Sequence, residues 1–125
     1  MQKHVFSSHG LDCGGTRIRD QVHGDILLPE KFMAIVDSIE FQRLRYVKQL
    51  ATAQYTFPGA THTRFEHSIG TFHVMQQILN HFERYFTTLG QPELIDQDEK
   101  DLLLAASLLH DLGHTPFSHA LEDAM

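Results

Sequence analysis

Apolar residues recur at three- and four-residue steps along most of the chain, which is the spacing of amphipathic helices. The longest such run predicts a helix from about residue 64 to residue 86. A later helix, which Asp96 or Asp98 can cap, is apolar nearly all round from Leu102 onward. A helix of that kind is normally buried. The pattern therefore favours an all-α fold with two long helices near its centre.

The segments before residue 64 are shorter. Residues 1–16 are polar and glycine-rich and predict a flexible arm, and residues 16–28 predict two short strands that turn at His23-Gly24. Apolar spacing then predicts one helix from Glu30 to about Ile39 and a second from Phe41 to Leu50. The Pro58-Gly59 pair predicts a break before the long helix.

Composition limits the classes of protein that fit. A chain of 125 residues with 42% hydrophobic residues is expected to form one domain. Its net charge of −6 argues against a protein that coats nucleic acid. The single cysteine, Cys13, excludes an intramolecular disulfide and fits a reducing compartment. Because the chain shows neither a membrane-length apolar run nor the apolar core of a signal peptide, we expect a cytoplasmic protein.

Candidate chemistry begins where the apolar helix ends, at His110-Asp111. An ionisable group there is costly unless it is paired or holds a metal. Gly113 and Pro116 predict that the helix stops nearby, so that His114 and His119 lie on a loop or short helix beside the same pocket. Taken alone, a His-Asp pair is at least as often a hydrogen-bonded structural pair as a metal site.

A second element of the candidate site is the string Arg64-Phe-Glu-His67-Ser at the start of the long helix. Two imidazoles and one carboxylate suit Zn, Mn or Fe better than Ca. Arg64 lies three residues before His67, on the same side of the helix. A guanidinium there can grip two oxygens of a phosphate group. The basic face of the helix predicted before it, around Arg43 and Arg45, is by default a solvated surface.

Three strings, residues 41–50, 57–68 and 109–119, resemble the dNTP triphosphohydrolases of the HD-domain metallophosphohydrolase superfamily. They are similar to the branch that contains the animal SAM-and-HD-domain enzyme, and the resemblance covers residues 20–123. It implies an all-α HD fold, of which residues 17–125 would be the N-terminal part. It also implies that a divalent metal ion (Mn, Fe, Zn or Mg) supports water attack at the α-phosphorus of a dNTP, which releases deoxynucleoside and inorganic triphosphate.

The resemblance assigns roles to individual residues. It implies that the metal ligands are His67, His110 and Asp111, and that the groups at the phosphates are Arg64, His114 and His119. It implies that Gln49 and Leu50 line the sugar and base pocket. Three further positions match a site for an activating guanine nucleotide at a subunit interface, in keeping with a homo-oligomer: Asp37, Gln42 and Arg45.

The sequence also departs from the family pattern. The family has a fourth metal ligand, an aspartate well downstream, and Asp123 is too close to His119 to be that residue. We therefore expect a fragment of a longer enzyme, and the reaction that the resemblance implies belongs to the complete enzyme rather than to this piece alone. Three protein ligands can nevertheless hold a catalytic zinc. Three alternatives stay open: an HD-type nucleotidase or cyclic-nucleotide phosphodiesterase, a non-catalytic nucleotide-binding or assembly module, and a metal-free remnant.

Overall fold

A computed structural model of the protein describes residues 14–91 and 95–116. The helical fold with a short N-terminal hairpin, predicted from the sequence, is confirmed. Most of the predicted N-terminal arm lies outside the described residues, and so does His119, near the other end of the chain.

The chain first forms an antiparallel hairpin of β1 (Gly15–Asp20) and β2 (Gly24–Pro29), in which Ile18 faces Ile26. The Asp20 carboxylate accepts the backbone N–H groups of Val22 and His23 at 2.8 and 2.7 Å, which fixes the turn. Gly24 closes it at φ +77°, a left-handed conformation that glycine adopts without steric cost. Ile26 and Leu28 of β2 point into the core.

Short helical segments follow the hairpin. They are a 3-10 helix (Glu30–Phe32), α1 (Met33–Val36), α2 (Ile39–Gln42) and two more 3-10 helices (Arg43–Tyr46 and Ala51–Tyr55). Ser38 caps α2 by accepting the N–H of Phe41.

The prediction of one continuous helix from Phe41 to Leu50 is wrong. Val47 is extended, at φ −106° and ψ 114°, and its carbonyl accepts the N–H of Arg64 at 2.8 Å. Gln49 donates its N–H to the carbonyl of His62, at 3.1 Å. The chain here pairs with the segment that precedes the long helix, so hydrogen bonds to a distant segment replace those that a continuing helix would make.

Two long helices make up the remainder of the described fold. Helix α3 (Arg64–Thr88) begins with a capping box between Thr63 and Glu66, and Gly90 follows its end at φ +73°. Helix α4 (Gln97–Leu109) begins with a capping box between Asp96 and Glu99, and His110 is its C-cap. The two helices pack against each other. Within the described residues, no helix is both long and apolar enough to cross a membrane.

The core lies between the hairpin, the short helices, the first part of α3 and the second half of α4. Phe41 and Phe65 meet edge to face with ring centres 5.5 Å apart, and Phe32 and Phe72 do so at 5.3 Å. The predicted apolar stripe of α3 is buried only in part, since Phe82 is 43% exposed. The buried core cluster comprises Ile26, Leu28, Phe32, Val36, Phe41, Leu44, Phe65, Ile69, Phe72, Leu79, Leu104 and Leu108.

Candidate metal centre

The crossing of α3 and α4 brings together the three side chains that the sequence suggested as metal ligands. His67 lies in the first turns of α3, His110 caps the end of α4, and Asp111 follows it. The Nε2 atoms of His67 and His110 are 3.2 Å apart. One ligand atom from each of the three residues lies within 4.8 Å of the other two, so the group could hold a metal ion.

The His110 ring is oriented by the backbone. Its Nδ1 lies 2.9 Å from the carbonyl oxygen of Ser107, and a carbonyl can only accept a hydrogen bond. The ring therefore carries its proton on Nδ1 and turns the lone pair of Nε2 towards His67. Fixing one ring nitrogen through a carbonyl in this way is the usual arrangement of a metal-binding histidine.

The spacing of the donor atoms fits a first-row transition metal. Two imidazole nitrogens bound to zinc at about 2.0–2.1 Å would be roughly 3.4 Å apart at a tetrahedral angle. The observed 3.2 Å between the two Nε2 atoms is close to that value. The Asp111 carboxylate lies 3.5 Å from His110 through Oδ1 and 3.8 Å from His67 through Oδ2. Two imidazoles with one carboxylate form a donor set for Zn, Mn or Fe.

Asp111 is buried and is held from two further sides. Its Oδ2 accepts a hydrogen bond from Nη1 of Arg64 at 2.8 Å and lies 3.4 Å from Nε2 of Gln49. Burial by itself would raise the pKa of Asp111, but His110 and the Arg64 guanidinium outweigh it and hold that pKa below its ordinary value. The carboxylate is therefore ionised and ready to bind a cation at neutral pH.

The surroundings of His67 lower its pKa and so favour the neutral form, which metal binding requires. Burial lowers the pKa of His67, His110 and Arg64 lower it further, and Asp111 opposes them without prevailing. A neutral imidazole is the form that binds metal. His67 is thus a ready ligand over more of the pH range than an ordinary histidine.

The other predicted site residues differ in how they lie relative to the three candidate ligands. Nε2 of His114 lies 3.5 Å from Oδ1 of Asp111, so this half-buried ring does face the centre. Gln49 is half-buried beside Asp111, and its Oε1 is buried without a hydrogen-bond partner in the described part of the chain. Leu50 is 50% exposed. Arg64, which the resemblance assigns to the phosphates, donates to the Asp111 carboxylate at 2.8 Å.

The three residues matched to an activator site lie on the short helices. Gln42 donates from Nε2 to the Val36 carbonyl at 2.7 Å and accepts from Nε of Arg45 at 2.7 Å. The Arg45 guanidinium lies over the Phe65 ring, 3.6 Å from its centre. Asp37 is exposed at the end of α1. Gln42 and Arg45 are therefore joined by a hydrogen bond. Asp37 is the residue after Val36, whose carbonyl Gln42 contacts.

A cavity of about 610 Å³ opens beside His67, between the hairpin turn, the loop around His62 and the first half of α3. Gly70 of α3 lies next to His23 of the hairpin turn. A Cβ atom on Gly70 would lie 3.4 Å from the His23 ring, in ordinary contact. His62 and Glu66 also line this cavity.

Sequence reasoning did not predict one contact close to the candidate metal centre. Arg43, read as part of a solvated basic face, donates to the backbone carbonyls of Leu112 and His114 at 2.7 and 3.2 Å. These residues are about seventy positions apart in the chain, and their separation hides the contact from any local pattern.

Comparison with known proteins identifies this arrangement. Residues 64–125, the half of the chain that carries His67, His110 and Asp111, match the family model described as "HD domain". The chain belongs to the HD domain family.

Several proteins similar to this chain have a more specific name than that family. The chain is 45% identical over 109 residues to deoxynucleoside triphosphate triphosphohydrolase SAMHD1 of Homo sapiens, with 84% of this chain and 16% of that protein covered. It is 44% identical over 127 residues to the Bos taurus protein of the same name, with 94% and 20% covered. It is 43% identical over 106 residues to the SAMHD1 homolog of Dictyostelium discoideum, with 84% and 20% covered. The chain thus spans about a fifth of the length of these relatives.

Proposed function

We propose that the protein takes part in metal-dependent hydrolysis of deoxynucleoside triphosphates to deoxynucleoside and inorganic triphosphate. The observation that carries this proposal is the convergence of His67, His110 and Asp111 within 4.8 Å at the crossing of α3 and α4. Relatives 43–45% identical to this chain are named deoxynucleoside triphosphate triphosphohydrolases. The donor chemistry supports a metal-dependent hydrolase, and the similar proteins support deoxynucleoside triphosphates as its substrates.

The metal ligands in this proposal are His67, His110 and Asp111. A divalent ion held there, of the class Zn, Mn, Fe or Mg, would supply a water molecule of lowered pKa and would polarise phosphate oxygens. The Arg64 guanidinium keeps the Asp111 carboxylate ionised and in place by donating to Oδ2 at 2.8 Å. Arg64 also brings positive charge to the place where phosphate oxygens would bind.

The proposed reaction adds water to the α-phosphorus and breaks the bond from that phosphorus to the 5′ oxygen. The leaving deoxynucleoside oxygen needs a proton. We assign this proton transfer to His114, and its position, with Nε2 3.5 Å from Oδ1 of Asp111, supports the assignment. His119 is proposed as a second imidazole at the phosphates on the basis of the family resemblance.

Recognition of the sugar is assigned to Gln49, with Leu50 beside it against the base. The Oε1 atom of Gln49 is buried and has no hydrogen-bond partner in the residues described. A buried amide oxygen in that state favours a ligand hydroxyl that donates to it. The nucleoside therefore extends from the metal centre towards Gln49.

An activating guanine nucleotide at Asp37, Gln42 and Arg45, at the interface of a homo-oligomer, is proposed as the regulatory part of this function. The observation in favour is that the Arg45 guanidinium already lies over the Phe65 ring, 3.6 Å from its centre, and donates to Gln42. A guanidinium fixed in this way can present its remaining donors to a phosphate or a guanine edge at little entropic cost. We place the reaction in the cytoplasm, where free deoxynucleotides are available.

The test is release of inorganic triphosphate from dGTP and dATP by the Mn²⁺-loaded chain, with and without GTP. We expect release by the wild type, loss in His110→Ala, and retention in the matched control His81→Ala, which alters an exposed histidine of α3. Hydrolysis of dGMP or cyclic GMP in place of the triphosphates would assign the site to the nucleotidase or phosphodiesterase alternative. Bound metal and nucleotide without any turnover would favour a binding module.

A further inference from the structure

A guanidinium from the short helices holds the loop that follows α4. Nη2 of Arg43 donates to the carbonyl oxygen of Leu112 at 2.7 Å, and Nη1 donates to that of His114 at 3.2 Å. Arg43 belongs to the 3-10 helix Arg43–Tyr46, whose neighbour Leu44 is fully buried in the core. One rigid planar group therefore ties this loop to a packed element about seventy positions earlier in the chain.

The loop has local bonds of its own. The N–H of Leu112 donates to the carbonyl of Leu109 at 3.0 Å, and the N–H of His114 donates to that of Asp111 at 3.2 Å. Bonds between residues three apart fix the shape of a turn. They do not fix its direction relative to the rest of the fold. Leu112 packs against the core and anchors one side of the loop. The Arg43 fork adds an anchor beyond Gly113, at His114, because it joins the loop to a segment about seventy positions away.

Arginine suits this task better than lysine. Its donors lie in one plane at fixed separation, so two acceptors held by the same guanidinium are also held relative to each other. The two acceptors here are the carbonyls of Leu112 and His114, on either side of Gly113. A glycine between them leaves the backbone flexible, and an external tether then has most effect.

We infer that Arg43 is a positioning residue, which holds the loop after α4 so that the His114 imidazole faces Asp111. Arg43 acts on backbone carbonyls and leaves the side chains of the metal centre free for their own partners. The catalytic consequence rests on the proposed function of His114 as proton donor, whereas the structural consequence does not.

Amide hydrogen exchange tests the structural consequence. We compare Arg43→Ala, Arg43→Lys and the matched control Arg84→Ala, which removes an exposed arginine of α3. Arg43→Ala removes both hydrogen bonds to the loop carbonyls. The His114 amide should therefore exchange at least about tenfold faster than in the wild type. Amides inside α4, such as those of Leu104 and Leu108, should keep their rates. Arg43→Lys should recover part of the protection, and Arg84→Ala should match the wild type.

Turnover tests the catalytic consequence. In Arg43→Ala, kcat should fall about tenfold while KM and metal content stay unchanged, since substrate and metal contacts are left in place. An unaltered His114 exchange rate overturns the inference, and so does an equal acceleration at Leu104 and Leu108, which would show global destabilisation. Faster loop exchange with unchanged kcat overturns the catalytic part. If the wild type hydrolyses no nucleotide, the proposed function fails, and hydrogen exchange still decides whether Arg43 holds the loop.

Discussion

Nη1 of Arg64 lies 2.8 Å from Oδ2 of Asp111, and both side chains are buried. This pair joins the start of α3 to the residue that follows the cap of α4. It brings a positive charge next to a carboxylate that is also a candidate metal ligand. Folding and the proposed metal binding therefore involve the same contact.

Removing one member of this pair should cost far more stability than removing a surface pair. Asp111→Ala leaves the Arg64 guanidinium buried without its carboxylate, and losses of about 3–5 kcal/mol are typical of that situation. Urea unfolding in the presence of a chelator measures the change without contribution from metal. The matched control is Asp101→Ala, which breaks the exposed pair with Lys31 and should cost about 1 kcal/mol or less. Equal costs for the two variants would contradict a structural role for Arg64–Asp111.

Metal binding should stabilise the folded chain and should require all three proposed ligands. A metal that binds only the native state adds about 2.7 kcal/mol at a hundredfold excess over Kd. We expect a higher Tm with Mn²⁺ or Zn²⁺ and about one bound ion per chain by elemental analysis. Both effects should disappear in His67→Ala and His110→Ala and persist in His81→Ala. Binding that survives either ligand variant would place the metal elsewhere.

The sequence predicted those features that depend on neighbouring residues. Helix α3 was predicted within two residues of its observed end, because the apolar spacing and the residues around Gly90 are local signals. Polar residues at the ends of apolar helices made His67, His110 and Asp111 candidates, and the family resemblance implied that they act together. The HD family match then places these residues in the matched segment.

The features that the sequence did not predict depend on distant contacts. A helix was predicted from Phe41 to Leu50, but the carbonyl of Val47 instead accepts the backbone N–H of Arg64. Arg64 was assigned to phosphate, whereas its carboxylate partner Asp111 lies 47 positions away. Arg43 was assigned to solvent for the same reason. Hydrophobic spacing carries no information about which polar groups meet after the chain has folded.

The cap of α3 should contribute measurably to stability. The Thr63 hydroxyl oxygen accepts the N–H of Glu66 at 3.3 Å, and the Glu66 carboxylate accepts the N–H of Thr63 in return. Thr63→Ala should lower the free energy of unfolding by about 1 kcal/mol. Thr63→Ser keeps the oxygen and serves as the control in urea unfolding. Since His67 lies one turn further, Thr63→Ala should also weaken metal binding, and unchanged values for both quantities would contradict this role of the cap.

Stability in acid should reveal the Lys31–Asp101 pair, which joins the 3-10 helix Glu30–Phe32 to α4. Burial would raise the pKa of Asp101, but hydrogen bonds from Lys31 and Gln97 prevail and lower it. A carboxyl group whose pKa is lower in the folded state stabilises the protein above its unfolded pKa of about 3.9. That contribution is lost as the pH falls through the folded value.

Asp101→Asn should therefore reduce stability at pH 6 by about 0.2–1 kcal/mol, as expected for a partly exposed pair, and by less at pH 3. Thermal unfolding at the two pH values measures the difference. Asp98→Asn, a change in an exposed carboxylate of the same helix, controls for the loss of one negative charge. A deficit in Asp101→Asn that is equally large at pH 3 would show that the pair does not act through the ionised carboxylate. The cost would then be assigned to packing at the junction of the 3-10 helix and α4.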